Sequence, residues 1–175
     1  MVARQALDWR LIMENILPNE VDKTLELEPK LEVDQPSTID GFHDLLTHYY
    51  SLPIFYETLE REISFAKREG HAIALLKFQL PPETTLDHML HFANELEHNV
   101  RQHDLIARLA RYEFAVLLRF DSNIGEACLA LVNRVENVEK RKFSYTWAIS
   151  DGTKGLEELL KEIENPQLLK LAHLT

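Results

Sequence analysis

The sequence predicts an α+β fold, an antiparallel sheet with flanking helices, on three observations. Between residues 72 and 150 the apolar pattern runs strand, helix, strand, strand, helix, strand. That is the split βαβ order of ferredoxin-like folds, with helices expected on one face of the sheet. The stretch HAIALLKFQL is apolar enough to be a central strand. RQHDLIARLARYEFAVLL, Arg101 to Leu118, reads as a helix end, a strand, a very short turn and a second strand.

Taken in order, residues 5 to 17 place Trp9, Ile12, Met13, Ile16 and Leu17 at helical spacing, and Pro18 stops that helix. The acid-rich stretch to residue 36 suits a solvated linker. Residues 1 to 36 are thus a helix and an acidic linker, an arm that packs on the domain or on a second copy, and residues 37 to 175 are the folded domain. Ser37 or Thr38 is expected to cap a helix whose face carries Phe42, Leu45, Leu46 and Tyr49. A second helix runs from near Pro53, with Phe55, Leu59, Ile63 and Ala66 inward, to Gly70. After the first strand, PPETT breaks the chain, and Leu86, Met89, Leu90, Ala93, Leu96 and Val100 mark a helix extending to His103. The strands DLIARL and YEFAVLLRF follow, then a helix from Asn123 to Val138 and the strand KFSYTWAIS. A terminal helical stretch is divided by Pro166.

The bulk numbers exclude several classes. A chain of 175 residues and 45% hydrophobic composition is a single globular domain with an appendage. A formal charge of −10 argues against a nucleic-acid binder, so an anionic ligand would need a local arginine cluster. No apolar run approaches the roughly 20 residues of a membrane span, and the first residues lack the apolar core of a secretory signal. Cys128 alone cannot form an internal disulfide. Together these suggest a cytoplasmic protein.

Two motifs carry a family resemblance. Arg101 and Asp104 form an Arg-x-x-Asp, LIARL supplies the next five residues, and ARYEF follows as Ala110, Arg111, Tyr112, Glu113 and Phe114. Upstream, DLLTHYYSLPIF contains Asp44, Leu46, Thr47 and Phe55. Over about residues 38 to 165 this resembles a GGDEF domain, the nucleotidyl-cyclase-like fold of diguanylate cyclases. In that family an Arg-x-x-Asp inhibitory site lies five residues before a Gly-Gly-Asp-Glu-Phe turn, and DxLTGLxNRxxF lies upstream. Here the signature is degenerate, and only Glu113 and Phe114 remain.

The departures fall on the chemistry. Ala110 and Arg111 fill the space two glycines would leave for the nucleotide. Tyr112 replaces an acid that helps hold metal. The family's DxD at the end of the first strand corresponds to KFQ, and Lys77 would repel the Mg²⁺ that a carboxylate should bind. The guanine-recognition segment is replaced by the shorter LPPETTLDHML. The expectation is therefore a catalytically inactive domain with no cofactor or metal. Once no nucleotide enters the turn, its glycines are not required.

What the resemblance implies for the surviving pair is binding of cyclic di-GMP. Arg101 can reach guanine O6 and N7 with two donors, and Asp104 can accept from N1–H and the 2-amino group. At helical spacing three apart, both are expected on one face near a helix end. Arg134, from the helix after the hairpin, is the added arginine of the same site. The expected role is a cyclic di-GMP receptor that regulates a partner protein, with homodimerisation through stacked nucleotide. The alternative is a ligand-free domain for protein–protein contact or dimerisation. Residual cyclase activity is a third reading. Of the histidines, His88 and His91 lack a third ligand at zinc spacing and read with Asp87 as a solvated helix face. EREISFAKRE reads as a charged helix face, Cys128 as core, and Trp147 as filling the core or a helix–sheet seam.

Overall fold

The computed structural model describes residues 35–38, 40–119, 123–165 and 168–172, so the proposed N-terminal arm lies almost wholly outside the described residues. Helices α1 (Leu52–Glu69), α2 (Leu86–Asn99), α3 (Ile124–Val138) and α4 (Leu156–Ile163) accompany strands β1 (Ile73–Gln79), β2 (Leu105–Ala110), β3 (Glu113–Leu118), β4 (Ser144–Ser150) and β5 (Lys170–Leu171). The sheet is antiparallel with order β2-β3-β1-β4-β5. HAIALLKFQL does supply the central strand, and its residues are buried from Ile73 to Phe78.

Burial of β1 on both sides corrects one expectation. Side chains alternate across a strand, so Ala74, Leu76 and Phe78 point one way and Ile73 and Leu75 the other. The first set packs with Met89, Phe92 and Leu96 of α2 and Cys128, Leu131 and Val135 of α3. The second packs with Phe55, Leu59 and Ala66 of α1 and Leu159 and Ile163 of α4. Helices therefore cover both faces, because a strand apolar on both sides must bury both. Phe92 sits at the centre of the first layer, 5.5 Å from the Phe114 ring and 5.6 Å from Phe143.

Residues 40 to 49 are not a helix. Thr38 bridges Asp44, His43 bridges Tyr50, and Tyr50 bridges Ala107 on the rim of β2. Gly41 and His48 take positive φ, 76° and 60°, which no α-helix contains. The buried Asp44 carboxylate gathers the Ser37, Leu46 and Thr47 amides and the Thr47 hydroxyl. That hydrogen bonding overrides the helical spacing of the apolar residues. Phe42, expected inward, is 58% exposed.

The following helix starts where Pro53 indicated, at Leu52, and ends on left-handed Gly70, whose amide returns to the Ala66 carbonyl. α2 stops at Asn99, four residues before the expected His103. Beyond the Pro166 break the chain forms the short strand β5, not more helix, with the Ala172 amide bonded to the Phe143 carbonyl. Trp147 lies at the β4 rim, stacked on Tyr145 at 5.8 Å with the Lys170 ammonium 4.1 Å over its ring.

Candidate functional site

The β2–β3 hairpin closes through Arg111 and Tyr112. Primed two-residue turns need positive φ, and among the described residues outside glycine only His48 has it. The register instead shifts between Arg108 and Ala110, leaving Ala110 opposite Glu113. A bulge of this kind adds local twist, so the hairpin closes without glycine. The Arg111 guanidinium lies 5.1 Å over the Tyr112 ring, and the Tyr112 carbonyl accepts from the Leu80 amide at 2.8 Å. A shallow cavity of about 510 Å³ lies between this turn and Gln79, Leu80 and Pro82.

Beneath the hairpin, on the α1/α4 face, lies Lys77. Its side chain is 6% exposed, and its Nζ is 2.9 Å from Glu113 Oε2 and 2.7 Å from both carboxylate oxygens of Glu164. An ammonium thus occupies the space between two carboxylates. The Tyr56 hydroxyl is pushed up to about 12 by burial first, then by the charges of Glu164 and Glu113. This donor set does not fit a divalent cation. Mg²⁺ requires free anionic oxygens in octahedral array, and the oxygens here already hold a cation.

At the other end of β2, the chain turns between Arg101 and Asp104, with the Asp104 amide donating to the Arg101 carbonyl at 3.0 Å. The two residues do not share a helix face. Asp104 points inward, its side chain 2% exposed. Its carboxylate accepts from the Arg101 amide at 3.2 Å and the Arg119 amide at 3.3 Å. Arg101 is exposed. Arg134 reaches from α3 and donates to the Asn99 carbonyl at 2.9 and 3.3 Å, closing an orphan acceptor at the end of α2. The three residues therefore converge on one turn, but with separate placements: Arg134 caps its start, Asp104 braces its end, and the Arg101 residue is exposed.

Arg101 stands beside a cavity of about 390 Å³ between this turn and the loop 43–50. That loop is fixed from below by Arg108, fully buried within β2, whose Nε and Nη2 donate to the two Asp44 oxygens at 3.0 and 2.7 Å. Burial alone would push the Asp44 carboxyl up. The Arg108 and Thr47 hydrogen bonds and the guanidinium charge outweigh it, holding the carboxyl below its ordinary range. The cavity's aromatic wall is the His43–Tyr50 pair, ring centroids 5.8 Å apart and 30° between planes.

Arg108, His43, Tyr50 and Glu97 were not singled out from the sequence. An arginine inside LIARL, where every neighbour is apolar, was the available signal for Arg108: a buried guanidinium demands a carboxylate. Nor is EREISFAKRE only a solvated face, since Glu62 is buried and pairs with Arg119 at 2.9 Å. His88 likewise departs from the solvated helix face. It is buried, with Nε2 3.2 Å from Glu139 Oε1, tying the start of α2 to the end of α3. Cys128 lies in the core as expected. No helix among the described residues is long and apolar enough to cross a membrane.

No model of a known protein family matches this chain, and no curated protein does. Solved structures do. The GGDEF domain of TpbB (YfiN) from Pseudomonas aeruginosa aligns with a TM-score of 0.62 and 20% identity, over 70% of this chain and 84% of that one. The GGDEF domain of DgcB from Caulobacter crescentus, in complex with c-di-GMP, gives 0.62 and 16%, over 73% and 88%. The GGDEF domain of FimX from Pseudomonas aeruginosa gives 0.60 and 15%, over 69% and 88%. At such identities the likeness establishes architecture: the chain has the α+β fold of GGDEF domains. The sequence resemblance and the three-dimensional one therefore agree on fold.

Proposed function

We propose that this is a catalytically silent GGDEF-fold domain that works by binding, with cyclic di-GMP as its ligand at the turn bearing Arg101. The observation that carries the reading is the Lys77 ammonium between Glu113 and Glu164. Cyclisation of GTP needs charge neutralisation at the reacting phosphates, and here the protein's own cation uses the carboxylates that would recruit it. At the opposite end of β2, an exposed arginine borders a cavity. The DgcB domain of like fold is seen with c-di-GMP, which supports that nucleotide as the first ligand to try. Calorimetric titration of the full chain is the test. Saturable heat at tens of micromolar cyclic di-GMP, abolished by Arg101→Ala, is expected; no heat ends the reading. Incubation with GTP and Mg²⁺ should yield no cyclic product, and turnover sensitive to Glu113→Ala would overturn the silent assignment.

Asp104 favours a second reading, a ligand-free module for protein contact or self-association. Its carboxylate is already used within the turn, so one of the two groups expected to meet the nucleotide is occupied. A chain that stays monomeric in sedimentation with and without nucleotide would count against self-association.

A further inference from the structure

With Asp104 inside, a guanine at this turn needs another acceptor and a surface to lie on. The cavity supplies both. Glu97 stands exposed on the last turn of α2, four residues before Arg101, and both line the same cavity with Gln102. Guanine presents acceptors at O6 and N7 and donors at N1–H and N2. An arginine and a carboxylate on one rim match that arrangement, as Arg101 and Glu97 do. Adenine has no N1–H and no 2-amino group, so it offers Glu97 only its single 6-amino donor in place of guanine's adjacent pair.

The same cavity is also lined by aromatic residues. His43 and Tyr50 are cross-strand partners, so their rings project to the same side. The His43 ring is held, with Nδ1 3.0 Å from Asp40 Oδ2, and the Tyr50 backbone is fixed, its amide donating to the Ile106 carbonyl at 3.3 Å. Tyr50 is nevertheless 41% exposed, a large aromatic presented to water beside charged groups. The volume of about 390 Å³ lies at the low end of small-ligand pockets. It suits one base of a dinucleotide, with the remainder and its phosphates over Arg101 at the mouth.

We infer that the cavity between loop 43–50 and the α2–β2 turn is a guanine subsite, with Tyr50 and His43 as its stacking wall and Glu97 with Arg101 as its reading edge. The assignment rests on the nucleotide reading above and refines it: Asp104 holds the turn, and Glu97 takes the base. Stacking on an aromatic wall is sequence-tolerant, whereas the carboxylate selects.

The experiment is titration of the full chain and its variants with cyclic di-GMP and, separately, cyclic di-AMP. Tyr50→Ala is expected to weaken cyclic di-GMP about 10-fold, and Tyr50→Phe to restore it. Glu97→Gln should weaken cyclic di-GMP by a similar factor and narrow or abolish its advantage over cyclic di-AMP. Circular dichroism should be unchanged, since both side chains are exposed. If Arg101→Ala abolishes binding while Tyr50→Ala and Glu97→Gln bind as the wild type does, the subsite is wrong and the receptor reading stands. If the wild-type chain binds neither nucleotide, both fall.

Discussion

One strand, β2, ends in two very different places. At its C-terminal end the signature hairpin is sealed: Lys77 neutralises Glu113 and Glu164, and Arg111 and Tyr112 pack over the turn. At its N-terminal end the exposed Arg101 lines an aromatic-walled cavity. The difference teaches how one strand of this fold can carry a charge-matched, packed end and an exposed, cavity-lined end. A buried charge matched from within is shielded from a ligand, while an exposed arginine is reachable by an anion despite the chain's charge of −10. The two ends are also held by separate ion pairs, Lys77 with Glu113 and Glu164 at one and the buried Arg108–Asp44 pair behind the other.

The largest expected effect comes from breaking the support of the open end. Arg108→Ala leaves the Asp44 carboxylate buried with its guanidinium gone, and removing one partner of such a pair typically costs about 3–5 kcal/mol. The urea midpoint should fall accordingly. Replacing both residues, as Asp44→Asn with Arg108→Met, should recover much of the loss. If Arg108→Ala unfolds at the wild-type midpoint, loop 43–50 is not held as described, and the cavity wall goes with it.

How much of this could be read from the chain depends on where the forces act. The elements from α1 to β4 were legible because their apolar periodicities are local: Phe55, Leu59, Ile63 and Ala66 repeat as a helix whatever surrounds them. The segment holding Phe42, Leu45, Leu46 and Tyr49 was misread for the same reason. Its spacing is helical, but Asp44 is committed to Arg108, 64 residues away, and no window on the sequence contains that bond. Lys77 was legible as an obstacle to metal, yet its second partner, Glu164, lies 87 residues on and came only with the packing of α4. Arg101, Asp104 and Arg134 do lie around one turn, though not on the shared helix face that the spacing suggested. What spacing could not foresee was that the Arg119 amide would draw Asp104 inward.

A middle-sized effect tests the sealed end. Lys77→Ala leaves Glu113 and Glu164 facing each other across the vacated space. Glu164 is about half exposed and can turn to water, so the destabilisation should be smaller, about 1–3 kcal/mol. The sharper readout is metal. The wild-type melting temperature should be indifferent to millimolar Mg²⁺ or Mn²⁺. The variant's should rise with either, as a cation that binds only the folded state stabilises it by mass action. If the variant is as indifferent as the wild type, the ammonium was not standing in a cation's place. The seal would then owe nothing to Lys77.

The smallest effect separates the ends by pH. The Asp44 carboxyl is held below its ordinary value of 3.8 in the folded protein. A depressed carboxyl pKa means the unfolded chain binds its proton first on acidification. The stability it contributes is therefore complete above about pH 4 and lost as pH falls through the lower folded value. Thr47→Val removes the 2.8 Å hydroxyl bond to Asp44 Oδ2 without stranding a charge. It should cost about 1–2 kcal/mol at pH 7, as expected for a hydrogen bond to a charged acceptor. Because that bond favours the ionised carboxylate, the gap between variant and wild type should close as the pH of urea titrations falls from 5 to 2. Arg101→Ala, at the separate turn between α2 and β2, should show no such convergence. A gap for Thr47→Val that stays constant across the range would mean that Asp44 does not titrate with folding, and that the open end is held by packing alone.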